Sequence, residues 1–494
     1  MGFPALDQVF QVLNATGETG IAMKIGISEL DIDKPGDTID LKRVFLFRAD
    51  EKNVAAFIIQ YVLINLVRTC TMPDINQFIM IVLMQRVLPF WNLKFFDQEW
   101  FELPVSSHSR KVQIIIGILQ IQHQADRAIL YRFRKTNIGS VIESNMQKTA
   151  LVVGANGVIG SNLIDHLSEL GDWDIIGLSR RGGIDQGRLK YLSLDLLDEE
   201  ESRSRLSGLT AVTHIFYVAY QDRPTWAELV APNLAMLVNV VNAVEPVASN
   251  LEHISLMQGY KVYGAHLGPF KTPAKESDGK HMPPEFNVDQ QDFLENRQQG
   301  KSWTWSAIRP SVVGGTALGN PMNLVLAIAV YASISKELGI PLRFPGKPGA
   351  YDKLMEMTDA GLLAKATVWA ATNVQGANQA FNITNGDLFR WNELWPRIAA
   401  YFKLETAPPL QLSLGTVMTD KAKLWKSIQK KYSLVEHAYQ DLSAWGFADA
   451  VFGWDYDFFA DSSKARRAGF HEFTDTEKMF YDLFDDLRTH KVIP

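Results

Sequence analysis

The feature that most constrains the fold is a glycine-rich turn, GANGVIG at 154–160, between an apolar run and an amphipathic run. The preceding segment, 149–153, predicts a β-strand, and a helix is predicted to begin near Gly157. Gly154, Gly157 and Gly160 have the spacing of a dinucleotide-binding fingerprint. In that fingerprint one glycine makes the tight turn, one lets the backbone approach a pyrophosphate, and one packs helix on strand. This unit predicts a Rossmann-type fold with the phosphates at the helix N-terminus.

The residues after the second predicted strand indicate which dinucleotide is bound. The strand Trp173–Ser179 is followed directly by Arg180 and Arg181. A site for NAD carries an acidic residue about 20 positions after the last glycine, and that position, counted from Gly160, is Arg180 here. A carboxylate would repel a 2′-phosphate, whereas two guanidinium groups can bind it through paired hydrogen bonds and stack on the adenine. The sequence therefore predicts NADP(H) as the cofactor.

Further apolar runs alternate with helical patterns along the chain. Strands are predicted at 189–194, 211–219, 251–257 and 303–313, and a helix at 233–244. This alternation is typical of an α/β protein with a doubly wound parallel sheet, whose ligands bind beyond the carboxyl ends of the strands. Asp195, after the third strand, is placed to reach the adenine amine, and Val218 and Ala219 should face the cofactor where the fourth strand ends.

Charge and cysteine content narrow the classes of partner. The 49 Lys and Arg residues against 55 Asp and Glu residues give a net charge of −6, so no nucleic-acid partner is expected. The single cysteine, Cys70, can form neither an internal disulfide nor a Cys-rich zinc site. The longest apolar run, 54–66, is shorter than the about 20 residues of a bilayer span. Because the N-terminus also lacks a secretory signal pattern, we expect a cytoplasmic protein without a bound metal or membrane span. Whether the protein forms a homodimer stays open.

The chain is expected to divide at Met146. Residues 1–145 contain no repeat, catalytic motif or ligand cluster. They are either an appended domain of unknown fold or upstream sequence attached by a misassigned start, and the position of Met146 just before the first strand favours the second interpretation. We predict an NADP-binding Rossmann domain at 146–319 and a mainly helical, substrate-binding part at 320–494.

From Met146 to the C-terminus the chain resembles the progesterone 5β-reductase and iridoid synthase-like family of the short-chain dehydrogenase/reductase superfamily. The matching stretches are GANGVIG at 154–160, SRR at 179–181, THIFYVAY at 213–220, SLMQGYKVYGAHLGPF at 255–270, AIRPSVVGG at 307–315, PLRFPG at 341–346 and FNITNGDLFRWNELW at 381–395. The resemblance implies an NADPH-dependent reductase of an activated C=C bond, commonly in an enone or enal. Hydride would reach the β-carbon of a small hydrophobic carbonyl compound, and the carbonyl oxygen would become an enolate.

The resemblance also implies roles for individual residues. The family stabilises the enolate with the lysine of a T-G-x-K-H-Y stretch, which corresponds to 258–263 and assigns the role to Lys261. A fixed cation beside a developing enolate acts as an oxyanion hole. The family's tyrosine belongs to an N-F-Y-Y-x-x-E-D stretch, where this chain has Asn287 and Val288 at the two tyrosine positions. We expect Asn287 to be an auxiliary hydrogen-bond donor, since an amide is no acid near neutral pH.

Two tyrosines flank the lysine and are candidates to replace the missing acid. Tyr260 and Tyr263 lie on either side of Lys261, and their direction depends on the local turn. The remaining predicted cofactor contacts are Asn156, Val158, Ile159, Ser179, Leu196, Gln258, Pro310, Val313, Asn320, Pro321 and Met322. Three functions stay open: an enone reductase that depends on Lys261, an aldehyde or ketone reductase with a tyrosine acid, and a non-catalytic NADP-binding sensor or scaffold.

We predict that residues 1–145 are dispensable for cofactor binding. A chain that begins at Met146 should fold and bind NADPH as tightly as the full chain, because the complete reductase pattern starts there and no earlier residue has an assigned role. Titration calorimetry of both chains with NADPH measures the two affinities. A short chain that is insoluble while the full chain is soluble would show instead that the preceding segment is a packing partner.

Overall fold

The computed structural model describes residues 148–317, 322–442 and 444–494. The predicted segment 1–145 and Met146 lie outside the described residues, as do Asn320 and Pro321. The strands are β1 Lys148–Val153, β2 Trp173–Ser179, β3 Leu189–Ser193, β4 His214–Tyr217, β5 His253–Met257, β6 Thr304–Pro310, β7 Val312–Gly314, β8 Leu342–Arg343, β9 Met357–Asp359, β10 Gln379–Ile383 and β11 Thr406–Ala407. The helices are α1 Val158–Leu170, α2 Glu199–Leu206, α3 Trp226–Val244, α4 Phe286–Gln298, α5 Leu324–Glu337, α6 Ala360–Thr372, α7 Trp391–Tyr401, α8 Leu414–Val417, α9 Ala422–Tyr432, α10 Tyr439–Leu442, α11 Trp445–Phe452, α12 Ser463–Arg467 and α13 Thr476–Thr489.

The central layer is a 7-stranded sheet in the order β10-β6-β5-β4-β1-β2-β3. Every neighbouring pair in it is parallel. The chain builds outward from β1 to β3, then crosses to β4 on the other side of β1 and continues outward to β10. Strand order therefore reverses between β1 and β4, which is where ligands bind in open α/β sheets. The prediction of a Rossmann-type doubly wound sheet is confirmed.

Strand β1 shows why the sheet is covered on both faces. Its residues Ala150 and Val152 pack in one core cluster, with residues of α1 and α6, while Leu151 and Val153 pack in another, with residues of α3. Successive side chains of a strand point to opposite faces, so a strand that is apolar without interruption is buried on both sides. The continuous apolar run of β1 thus gives the doubly covered sheet.

Several predicted boundaries differ from the structure. The fourth strand is only His214–Tyr217, and the helix predicted at 233–244 begins at Trp226. It begins early because Thr225 and Glu228 form a capping box, and the helix continues through Pro232. The segment predicted as one strand at 303–313 is two strands, because β7 leaves the central sheet after Ser311 and pairs with β9.

Helix α3 is, within the described parts of the chain, the helix that is long and apolar enough to cross a membrane by length and composition alone. Its residues Leu237, Val240 and Val241 are fully buried in the core beside the sheet residues Leu151 and Ile215. It also contacts α2 and α4. The apolar composition of α3 therefore fits a core helix that covers one face of the sheet.

The C-terminal part is mainly helical, as predicted, and has an aromatic core. Phe344, Trp391, Trp395 and Phe452 are almost fully buried, with ring centroids of neighbouring pairs 5.3–5.9 Å apart. Helix α5 is buried nearly all round, as expected for a helix that is apolar on every face. The same cluster contains Tyr260 and Tyr263, so this core holds the turn that follows β5.

Candidate active site

The glycine turn after β1 is packed so closely that larger residues cannot occupy it. Gly154 has a φ of +98°, and a Cβ there would lie 2.9 Å from the Cα of Ala219 at the end of β4. A Cβ on Gly160 would lie 2.2 Å from the carbonyl oxygen of Gly154. The turn therefore brings the start of α1 directly against the ends of β1 and β4, as a dinucleotide site requires.

The N-terminus of α1 is open. Its N-cap residue is Gly157, and no side chain of the described residues caps it, whereas Asp198 caps α2 and Thr225 caps α3. The first amide groups of a helix need partners, and the helix dipole makes that end favourable for an anion. The geometry thus fits a phosphate group at this helix end.

A cavity of about 790 Å³ lies at the carboxyl ends of β1, β2 and β4. This volume is within the range of small-molecule and cofactor sites, about 300–1,000 Å³. Of the predicted cofactor contacts it brings together Gly154, Asn156, Gly157, Ser179, Arg180, Arg181, Asp195, Leu196, Val218, Ala219 and Met322. Its other lining residues are Leu178, Leu194, Tyr220, Gln221, Asp222, Arg223 and Met236. The cavity follows the point where the strand order reverses, so its position and size fit a dinucleotide.

The other predicted contacts do not line this cavity. They are Val158, Ile159, Gly160, Gln258, Pro310 and Val313. The amide of Gln258 is already bonded, because its Nε2 donates to the backbone oxygen of Asn287 at 2.8 Å and its Oε1 accepts from Nε of Arg309 at 2.8 Å. These assignments stay predictions.

The loop after β2 is held so that its two arginines stand at the cavity. Nδ2 of Asn156 donates to the backbone oxygen of Gly182 at 2.8 Å, and Oγ of Ser193 donates to the backbone oxygen of Arg180 at 2.8 Å. The residues Arg180 and Arg181 are themselves exposed. Neighbouring side chains therefore fix the loop backbone and leave both guanidinium groups available to a ligand.

Lys261 lies on a 3₁₀ turn, Tyr260–Tyr263, that follows β5. Its Nζ is 4.9 Å from the ring centroid of Trp226, 5.1 Å from that of Tyr220 and 5.8 Å from that of Phe286. An ammonium group over aromatic faces is attracted by the ring quadrupoles. Burial lowers the pKa of Lys261, and the nearby carboxyl groups of Glu285 and Asp222 oppose that effect. Because Tyr220 also lines the cavity, the lysine lies beside it in an apolar, aromatic environment.

The two flanking tyrosines point into the protein core. The hydroxyl of Tyr260 donates to Oε1 of Glu356, which also accepts from the backbone nitrogen of Ala460 at 2.7 Å. The hydroxyl of Tyr263 donates to Oδ1 of Asn382 at 2.6 Å. Burial raises the pKa of Tyr260 well above its usual range and that of Tyr263 to about 12. The structure therefore gives no support to the expectation that either tyrosine serves as the acid.

The contacts of Asn287 do not fit the role expected for it. It is 4% exposed, and its Nδ2 donates to Oε1 of Glu285 at 2.7 Å. Its amide is thus engaged by a carboxyl group, which disfavours its proposed use as an enolate donor. No role was predicted for Glu285. The family stretch has an asparagine at this position, and that difference could have drawn attention to the residue.

Sequence reasoning also missed the aromatic surroundings of the lysine. The hydroxyl of Tyr220 donates to Oδ1 of Asp222 at 2.8 Å, and burial is the main cause of its raised pKa. Trp226 opens α3 and contacts His266 with ring centroids 4.5 Å apart. The signal for Tyr220 was its position next to Val218 and Ala219 at a strand exit, whereas nothing local marked Trp226.

The parallel sheet, the glycine turn and the cavity at the strand ends define a Rossmann-type α/β protein. Solved structures agree at the level of fold. A UDP-glucose 4-epimerase from Thermotoga maritima is similar with a TM-score of 0.51 and 16% identity, covering 69% of this chain and 99% of that chain. The epimerase Mth375 from Methanothermobacter thermautotrophicus has a TM-score of 0.53 and 14% identity, covering 72% and 97%.

Sequence comparison gives the family. Residues 187–494 match the PRISE-like Rossmann-fold domain, and the chain belongs to that family. An (S)-8-oxocitronellyl enol synthase from Nepeta racemosa is 34% identical over 369 residues, which are 71% of this chain and 94% of the relative. A 3-oxo-Δ(4,5)-steroid 5β-reductase from Arabidopsis thaliana is 33% identical over 374 residues, 71% of this chain and 94% of the relative. The resemblance to progesterone 5β-reductase and iridoid synthase-like proteins is confirmed.

We predict that Tyr260 stabilises the fold. Tyr260→Phe leaves the buried Glu356 without one of its donors, so it should lower the free energy of unfolding by about 1–3 kcal/mol. Tyr220→Phe, which removes a bond to the exposed Asp222, is the matched control and should cost about 0.5 kcal/mol or less. Urea unfolding of both variants measures these differences. Equal stability of Tyr260→Phe and the wild type would contradict the anchoring role.

Proposed function

We propose that the protein is an NADPH-dependent oxidoreductase that reduces the C=C bond of an enone or enal. The observation that carries the proposal is the ammonium group of Lys261, held among Tyr220, Trp226 and Phe286 beside a dinucleotide-sized cavity. The names of the relatives support the same chemistry, because one is a reductase of 3-oxo-Δ(4,5)-steroids, which are conjugated enones, and another is an enol synthase. The substrate would be a small hydrophobic carbonyl compound.

The residues that would hold the cofactor follow from the cavity. Gly154, Gly157 and the open N-terminus of α1 would receive the pyrophosphate, and Arg180 and Arg181 would bind the 2′-phosphate. When bound, the cofactor supplies a hydride from its reduced nicotinamide. The protein's part is to orient the substrate and to stabilise the charge that develops on it.

Lys261 would perform that second task. As hydride reaches the β-carbon, negative charge builds on the carbonyl oxygen, and a fixed ammonium group stabilises it without proton transfer. Buried surroundings strengthen the attraction, since the effective dielectric constant is lower there than in water. The enolate can later take a proton at carbon from water, so hydride transfer requires no acid at position 287.

NADPH oxidation with a panel of small enones and the matched saturated ketones tests the proposal. Turnover of the enones alone supports it. Turnover of the ketones alone would favour the aldehyde or ketone reductase, which must protonate an alkoxide as it forms. Tight NADPH binding without turnover of either set would favour the non-catalytic sensor or scaffold.

We predict that Arg180 and Arg181 give a preference for NADPH over NADH. Changing both to Ala should weaken NADPH binding, because each charged hydrogen bond to the 2′-phosphate contributes about 1.5–3 kcal/mol. NADH binding should change little, since NADH has no phosphate at that position. Arg188→Ala is the control, because Arg188 pairs with Asp174 and does not line the cavity. A wild-type protein with equal kcat/KM for the two cofactors would contradict this prediction.

We predict that Lys261 carries most of the enolate stabilisation. Lys261→Met keeps the aliphatic length of the side chain but removes its charge, and should lower kcat for enones by about 10² or more. NADPH affinity should stay near that of the wild type, since Lys261 does not line the cofactor cavity. Lys271→Met serves as the control, because Lys271 is exposed and pairs with Asp278. Unimpaired turnover of Lys261→Met would refute the mechanism.

A further inference from the structure

The loop that leads from β4 into α3 brings a third arginine to the cofactor cavity. Arg223 lines this cavity together with Arg180 and Arg181. Its Nη1 donates to the backbone oxygen of Asp222 at 3.0 Å. In the amide orientation that satisfies both of its side-chain atoms, Gln221 accepts from Nη1 and Nη2 of the same arginine at 3.0 and 3.1 Å. These acceptors are neutral, and no carboxylate of the described residues forms an ion pair with Arg223, so its charge is available to a ligand.

The backbone of this loop is fixed on both sides of the arginine. Asn233 on α3 is 0% exposed, and its Oδ1 accepts from the backbone nitrogen of Gln221 at 2.9 Å. Its Nδ2 donates to the backbone oxygen of Gln221 at 2.8 Å. At the other end of the loop, Thr225 and Glu228 form the capping box of α3. Arg223 lies between these two fixed points, so the fold sets where its backbone stands at the cavity.

The cavity is bordered from both faces of the sheet. Helices α1 and α3 cover opposite faces of β1. The glycine turn that opens α1 contributes Gly154 and Gly157 to the cavity, whereas α3 and the loop before it contribute Met236 and Arg223. The loop of Arg223 therefore borders the cavity from the face opposite the N-terminus of α1.

The cations at the cavity leave one group of a dinucleotide without a full counter-charge. A pyrophosphate carries negative charge on each of its phosphates. The glycine turn offers it backbone amides and a helix dipole equivalent to about half a positive charge. Arg180 and Arg181, which follow β2, are assigned to the 2′-phosphate. Arg223 is the remaining cation among the described residues that line the cavity.

Two carboxylates also line the cavity, and each has partners other than Arg223. Oδ1 of Asp195 accepts from the backbone nitrogen of Leu197 at 3.1 Å. Oδ1 of Asp222 accepts from the hydroxyl of Tyr220 at 2.8 Å, and the charge of Asp222 acts on Lys261. Neither carboxylate pairs with Arg223, so both leave its charge for an anionic ligand.

We propose that Arg223 binds the pyrophosphate of the dinucleotide from the side opposite the N-terminus of α1, for NADPH and NADH alike. This inference rests on the proposed function. A guanidinium group donates two parallel hydrogen bonds to phosphate oxygens. On binding, Arg223 exchanges the neutral oxygen of Gln221 for charged oxygens, which accept stronger hydrogen bonds. Arg180 and Arg181 then recognise the 2′-phosphate, and Arg223 binds a part that both cofactors share.

Fragments of the cofactor separate these two roles. ADP has the diphosphate and lacks the 2′-phosphate, whereas adenosine 2′-monophosphate has only the 2′-phosphate. In Arg223→Ala the Kd for ADP should rise by about 10- to 100-fold, because a charged contact to phosphate is lost. The Kd values for NADH and NADPH should rise by the same factor, and that for adenosine 2′-monophosphate should not change. Titration calorimetry measures all four ligands without any turnover.

Three comparison variants sharpen the experiment. Changing Arg180 and Arg181 to Ala should give the opposite pattern, with weaker binding of adenosine 2′-monophosphate and NADPH and unchanged binding of ADP. Arg223→Lys keeps the charge without the paired hydrogen bonds, so its ADP affinity should lie between those of the wild type and Arg223→Ala. Arg188→Ala is the control and should change none of the affinities, because Arg188 pairs with Asp174 and does not line the cavity.

Each outcome decides a different point. Unchanged ADP affinity in Arg223→Ala would overturn the inference. A loss confined to adenosine 2′-monophosphate would also overturn it, because that result would assign the guanidinium group to the 2′-phosphate. If ADP binds the wild type, binds Arg223→Ala more weakly as expected, and no enone is reduced, the inference stands and the proposed function fails. A wild-type protein that binds neither ADP nor NADPH would overturn both.

Discussion

The close contact between the glycine turn and the end of β4 is the constraint on which the rest of the site depends. Gly154 meets Ala219 at a distance that excludes any Cβ, and Gly160 meets the carbonyl of Gly154 even more closely. This contact fixes α1 at the point where strand order reverses and leaves its N-terminus open. Because β4 leads directly into Tyr220, the same contact also sets where the cofactor cavity meets the aromatic surroundings of Lys261.

A second set of contacts holds the lysine in place from the other side. The turn that carries Lys261 is attached to the C-terminal core by Tyr260 on Glu356 and by Tyr263 on Asn382. Burial raises the pKa of Glu356 to about 8, so at neutral pH it is mostly a neutral acid, which is cheaper to bury than a charge. The two tyrosines therefore position the turn that carries Lys261, whereas the sequence suggested them as candidate acids. Through these two hydrogen bonds, the orientation of the turn that carries Lys261 depends on the packing of the C-terminal core.

A feature could be predicted from the sequence only where the residues that determine it lie close together along the chain. The glycine turn and strand β2 could be predicted because their spacing and apolar runs lie within a few residues. The directions of Tyr260 and Tyr263 could not, since their partners lie 96 and 119 residues away in sequence. The split after Ser311 likewise depends on Thr358, which accepts the backbone hydrogen bond that turns β7 toward β9.

The start of α4 shows how burial and helix position act in opposite directions on one carboxyl group. Glu285 caps the helix, and the amides at a helix N-terminus favour the ionised form of such a carboxyl group. Burial favours the neutral form, and Lys261 opposes it from a distance. Burial is the largest of these effects, so the pKa of Glu285 is raised from the ordinary glutamate value. At the position of the family's tyrosine this chain has Asn287, whose side chain donates to Oε1 of the carboxyl group that caps the same helix, so the residue change stabilises the start of α4.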